Sequence, residues 1–300
     1  MQHKLIILTL GLALGLALGA ATPALAQHIA PFASDSFSLA PVYADEQTTQ
    51  PAASEASQSE SEADELAKKT LNPVADLISV PFQYNMDFNL GPSDAQRQIL
   101  NIQPVIPITL TPDWNLIVRT ILPVVDVGSV APGVDSQRGI GDITQSFFLS
   151  PKKPLGGWIL GVGPVFLWPT GTDGLSSRKW GAGPTAVALR QENGWTYGIL
   201  ANQIWSYAGS DNTADVNSTF LQPFLSYTFK THTSLTINTE STYDWTESQW
   251  TVPVNLLASQ ILKIGKLPIS IQAGPRIYAE GPSGGPDWGF RVTLTLLFPK

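Results

Sequence analysis

Few side chains in this 300-residue sequence combine the type and spacing that covalent chemistry requires. Cysteine is absent, which removes thiolate metal sites and thiol nucleophiles. Of the three histidines, His3 lies in an apolar leader, His28 in an acidic stretch and His232 in a short turn. A lipid-cleaving site needs a His base beside a Ser nucleophile, and none of the three has such a partner near it in the sequence. The acid pairs Asp211 with Asp215 and Asp244 with Glu247 lack calcium-loop spacing and read as solvated loop residues. Gly139-Ile140-Gly141-Asp142 and Gly161-Val162-Gly163 lack the helix and lysine of a phosphate-binding loop. No catalytic residue, metal ligand or cofactor is therefore expected, and the chain is not read as an enzyme.

What remains is a sparse set of charges inside apolar–polar stretches. Asp87, Arg119, Glu240, Arg276 and Arg291 fall on polar faces, beside the amides Gln83, Asn101, Gln103, Gln222 and Gln272. Opposed acids and arginines of this kind create a field across a constriction and select solutes by charge and size. The plainer reading is that they pair with one another and fill a narrow interior.

Such residues need strands whose two faces differ, and from Leu71 onward the pattern has period two. Phe290, Val292, Leu294, Leu296 and Phe298 share one face while Arg291, Thr293 and Thr295 share the other. Ile78, Val80, Phe82, Tyr84, Met86 and Phe88 oppose Ser79, Gln83, Asn85 and Asp87 in the same way. About twelve such segments are expected, joined by connections that alternate short and long. Short ones fall near residues 111–113, 150–156, 191–194, 230–233 and 263–266. Longer ones fall near 89–97, 126–142, 169–179, 207–217, 244–250 and 280–287. That rhythm suits a closed antiparallel up-and-down barrel in a membrane, with apolar faces toward lipid and polar faces toward the lumen. Trp and Tyr gather toward the strand ends, as in interfacial girdles. Prolines within the strands, namely Pro104, Pro107, Pro123, Pro164, Pro184, Pro223, Pro253 and Pro275, imply bulges or kinks.

Bulk properties agree. Residues 1–26 read as a signal peptide: Lys4, an apolar run from Leu5 to Ala20, and small residues at Ala24-Leu25-Ala26. Residues 27–70 hold eight acids against Lys68 and Lys69, lack apolar mass, and read as a disordered acidic periplasmic segment with a possible short helix near 61–69. Residues 71–300 form the barrel. No basic stripe exists, so nucleic acid is not an expected partner.

Several segments carry a resemblance. Asn72-Pro73-Val74-Ala75-Asp76-Leu77, Asn101-Ile102-Gln103-Pro104-Val105-Ile106-Pro107, Gly139-Ile140-Gly141-Asp142, Leu221-Gln222-Pro223-Phe224 and Leu296-Leu297-Phe298-Pro299-Lys300 together resemble a family of bacterial outer-membrane barrels. That family is catalogued as "transporter" or meta-pathway phenol-degradation proteins and is often mislabelled neuromedin U. The resemblance covers roughly residues 64–300. It implies a Gram-negative outer-membrane location and passive passage of small solutes, perhaps aromatic or hydrophobic ones. Expected partners are outer-membrane lipid, the barrel-assembly machinery and the solute. The alternative is a non-conducting barrel that binds a ligand or anchors envelope components.

Overall fold

The computed structural model describes residues 62–265 and 267–299. The signal peptide expected over 1–26, and all of the acidic segment before residue 62, lie outside them. Fifteen strand segments form one sheet in which every neighbouring pair is antiparallel. Three interruptions divide what are otherwise single strands, so the wall has twelve. In chain order these are β1 (Ile78–Leu90), β2 (Ala95–Ile102 and Val105–Thr109), β3 (Trp114–Val127) and β4 (Gln137–Ile140 and Ile143–Pro151). Then follow β5 (Trp158–Trp168), β6 (Lys179–Glu192), β7 (Trp195–Gly209) and β8 (Asn217–Thr228). The circuit is completed by β9 (Thr233–Thr239 and Ser241–Asp244), β10 (Gln249–Ile264), β11 (Leu267–Glu280) and β12 (Trp288–Phe298). β12 pairs with β1 from Ile78↔Phe298 to Phe88↔Trp288, which closes the barrel. Closure leaves no open sheet edge, the condition for backbone to lie in hydrocarbon.

The expected alternation holds along β12: Phe290, Val292 and Leu294 face outward, while Arg291, Thr293 and Thr295 are buried inside. Polar side chains on the outer face are tied to one another. Tyr84 Oη donates to Gln98 Oε1 at 2.7 Å, and Gln145 Nε2 donates to Thr120 Oγ1 at 3.0 Å. Such pairing removes most of the cost of placing them against lipid. Aromatic rings contact each other in two bands. Trp158–Tyr197 and Trp195–Tyr227 lie by the short turns, and Trp168–Trp180, Tyr243–Trp245 and Phe88–Trp288 by the opposite rim.

The turn Asn193-Gly194 has both residues at positive φ (50° and 82°), the geometry that joins twisted strands in two residues. Two connections on the loop side are shorter than the sequence suggests. β1 and β2 extend until only 91–94 separate them, and β9 and β10 until only 245–248 do. Arg97 consequently belongs to a strand and not to a loop.

The expected bulge is present at Pro253, where the β10–β11 register shifts, and prolines also break the strands opposite them. Each of the three strand interruptions lies opposite a proline, which accepts a ladder bond but cannot return one. Gln103 N donates to Pro81 O (2.9 Å), Gly141 N to Pro123 O (2.8 Å) and Glu240 N to Pro253 O (3.4 Å). Pro164, Pro184, Pro223 and Pro275, like Pro81, Pro123 and Pro253, sit within continuous strands, whereas Pro107 lies in the second segment of β2 and Pro104 in the break between its two segments. Before Pro184, a Cβ on Gly183 would fall 1.8 Å from Gln203 O. Glycine there lets the neighbouring strand close up where proline offers no N–H.

Candidate functional site

The barrel brings charges from strands distant in sequence to one level of the lumen. Arg291 on β12 donates through Nη1 and Nη2 to Glu240 Oε1 and Oε2 at 2.8 and 2.6 Å. Its Nε donates to Asn85 Oδ1 on β1 at 2.7 Å, and Arg276 Nη1 on β11 donates to the same oxygen at 3.1 Å. Arg276 lies 3.8 Å from both Asp87 and Glu240, linking the two carboxylates. Arg97 donates through Nε and Nη2 to Asp87 Oδ2 at 3.1 and 2.9 Å, and through Nη2 to Tyr278 Oη at 3.2 Å. Asp87 and Arg291 are 0% and 1% exposed, so this side of the belt is packed. Charge-assisted, two-point Arg–carboxylate contacts are among the strongest polar contacts available to such a wall.

Arg119 stands apart. Its Nη2 donates to Gln103 Oε1 at 2.9 Å, and among the described residues no carboxylate lies within ion-pair distance of it. It borders an internal cavity of about 180 Å³ on the turn side of the belt. Gln83, Gln103, Gln222, Glu240, Gln272 and Arg291 line the same cavity, so seven of the ten residues singled out by alternation share one space. Asp87 and Arg276 belong to the belt above it. Asn101 sits opposite Gln83 in the β1–β2 register, apart from the ion pairs. A second cavity of about 150 Å³ borders Gln83, Gln103 and Gln272 as well and extends to His232.

The floor of this space comes from residues ahead of β1. Residues 62–70 are helical, with Leu66 and Ala67 buried against Ile261 and Leu297. Burying one leucine in this way contributes about 1.5–3 kcal/mol. Lys263 Nζ donates to Glu62 Oε2 at 2.8 Å, His232 Nδ1 lies 2.8 Å from Asp64 Oδ1, and Gln191 Nε2 donates to Lys68 O at 2.9 Å. Three short turns thus grip one helix. Beyond it, Asn72 Oδ1 accepts from Val74 N at 2.9 Å, and Val74 enters an apolar cluster with Val105, Ile117, Phe148, Val187, Leu189 and Leu200. The lumen therefore has an apolar wall under β3–β7 and a charged wall under β9–β2.

Sequence reasoning missed Arg97, Tyr278 and Asn255 in this interior, and put Asn85 on the polar face of β1 without singling it out. Arg97 was hidden by its placement in a loop. Asn255 carries no charge, so only alternation along β10 could have found it.

On the loop side, Asp142 accepts from Gly171 N (3.0 Å), Ser176 Oγ (2.6 Å), Ser177 N (2.7 Å) and Ser177 Oγ (2.6 Å). Partial burial raises its pKa, but these donors outweigh that effect and hold the carboxyl below its ordinary range. Asp215 is held low by the Lys179 ammonium, which bonds it at 2.9 Å, and by Ser206. The Gly139-Ile140-Gly141-Asp142 motif thus pins the 169–178 loop to the wall.

Comparison with known proteins extends this picture. No curated protein matches the chain in sequence. Among solved structures, an outer membrane channel from Pseudomonas putida F1 superposes with a TM-score of 0.57 at 19% identity, covering 74% of this chain and 93% of that one. The beta domain of the Bordetella autotransporter BrkA gives 0.44 at 13% identity, over 74% and 100%. Outer membrane phospholipase A from Escherichia coli gives 0.41 at 13%, over 75% and 93%. The first of these likenesses shows the fold, that of an outer-membrane β-barrel. A family model matches residues 93–275, more than half of the chain, and the protein belongs to the family described as "Putative MetA-pathway of phenol degradation".

Proposed function

We propose that this barrel is an outer-membrane channel through which small solutes pass without energy input, and that it is not an enzyme. The observation that carries the reading is the polar internal cavity between the charged belt and the helix at the turn-side mouth. A barrel that served only as an anchor would gain more stability from filling that space with apolar side chains. Gln83, Asp87, Asn101, Gln103, Arg119, Gln222, Glu240, Gln272, Arg276 and Arg291 are its pore-lining set. The family description points to aromatic solutes of phenol size, and the apolar wall around Val74 and Phe224 suits a ring. A signal peptide over residues 1–26 delivers the chain to the periplasm, where the barrel-assembly machinery inserts it with the short turns on the periplasmic side. Planar-bilayer recording of the purified protein tests the reading. Discrete conductance steps are expected, and their absence removes the open channel.

A second reading, a non-conducting barrel that takes up a ligand, draws on the burial of Leu66 and Val74 in the turn-side half of the lumen. Uptake of a small aromatic compound with no conductance selects it.

A further inference from the structure

The cavity has a charge character opposite to that of the outer rim. Rim acids such as Asp211, Asp287 and Glu247 outnumber the rim's basic groups. Inside, Lys69, Arg119 and Arg291 border the cavity against the single carboxylate of Glu240. That carboxylate is already engaged at both oxygens by Arg291. Arg119 is not so engaged: one Nη2 contact to the Gln103 carbonyl uses one of its five N–H groups. The side-chain amides of Gln83, Gln222 and Gln272 make no hydrogen bond to protein among the described residues, and all three border the same space. Each can donate to an oxygen placed there. Phe224 and Val105, the latter the cross-strand neighbour of Arg119, supply apolar surface to the same cavity.

A guanidinium with spare donors, sharing one cavity with uncommitted amides and apolar side chains, is complementary to a small carboxylate with an apolar body. The volume sets the body's size. Cavities of about 150 Å³ are known to take benzene, so about 180 Å³ admits a single ring with one carboxylate. We infer that this cavity is a binding site for one-ring monocarboxylates, with Arg119 as the anion-recognising residue and the Gln83–Gln222–Gln272 amides completing the oxygen shell. The inference rests on the channel reading only for its meaning as a transit site; binding itself stands without it. An acidic rim and a cationic interior then sort solutes in two steps. The rim slows anions, and the cavity retains those that enter.

The test uses the full mature protein in detergent, titrated calorimetrically with benzoate, phenol and benzylamine, three probes of one ring size and different charge. Benzoate is expected to bind about tenfold or more tighter than phenol, the worth of a charge-assisted contact, and benzylamine more weakly than either. Arg119→Gln should bring benzoate down to the phenol level while phenol binding holds. Gln272→Glu, which leaves Arg119 in place, should weaken benzoate and strengthen benzylamine. Benzoate binding no tighter than phenol in the native protein overturns the proposal, as does a benzoate preference that persists in the folded variants. Conductance recorded on the same preparations separates the two readings. A conducting barrel without benzoate preference sinks the anion site alone, and Arg119-dependent binding without conductance sinks the channel alone.

Discussion

Arg291 and Glu240 meet across the lumen through two hydrogen bonds although β10 and β11 lie between their strands. Three arginines (Arg97, Arg276 and Arg291) and two acids share this level, so Glu240 is the principal brake on a positive belt. Glu240→Gln should make the channel more anion-selective, read as a reversal potential displaced toward that of chloride in a salt gradient. Arg291→Gln should displace it the other way, and less, because Arg276 remains beside the carboxylate. Glu240→Gln also leaves Arg291 buried without its partner, at a cost of about 3–5 kcal/mol. A lower temperature of unfolding on heat-modifiability gels checks that cost.

The helix over residues 62–70 occupies the turn-side mouth through Leu66 and Ala67. Leu66→Asp places a charge against Ile261 and Leu297, which should expel the helix. Single-channel conductance is then expected to rise roughly twofold or more, since the narrowest cross-section sets the current. Unchanged conductance would show that the helix does not limit flow.

Asp142 anchors the 169–178 loop through an ionised carboxylate. Because its folded-state pKa lies below the ordinary value, its contribution is fully present above the unfolded pKa. It is lost as pH falls through the lower, folded one. Hydrogen exchange across residues 170–178 should therefore stay slow, once corrected for intrinsic rates, down to about pH 4 and speed up below it. Asp142→Asn should be fast throughout and lose the pH dependence.

Gly183 has no room for a methyl group, since a Cβ would meet Gln203 O at 1.8 Å. Gly183→Ala should destabilise the barrel by about 1–3 kcal/mol through overpacking and reduce the folded, heat-modifiable fraction. Gly281 has open space around it and serves as the control. Gly281→Ala should leave that fraction unchanged.

Much of the architecture was legible because a lipid-facing wall exposes period two directly: Phe290, Val292 and Leu294 could be assigned outward from spacing alone. The same spacing located Asp87, Glu240, Arg276 and Arg291, since a charge inside a strand is rare enough to stand out. Their partnerships were not legible. Arg291 joins Asn85 only because the last strand closes onto the first, and closure is a property of the whole ring that no local window carries. The effect of the prolines was only partly legible for a related reason. Pro81 and Pro253 leave their own strands continuous and break the strand opposite, at Gln103 and Glu240, which no local window shows. The short helix expected near 61–69 is present at 62–70, but its seat in the barrel mouth, which rests on Leu66 and Ala67, was not legible.

Leu297 lies on the final strand yet packs against Leu66, Ala67 and Leu77, which precede the first strand. The helix's docking surface is thus complete only once the last strand has paired with Ile78–Phe88. A chain truncated before β12 lacks both the closing seam and part of the seat of its own N-terminal helix.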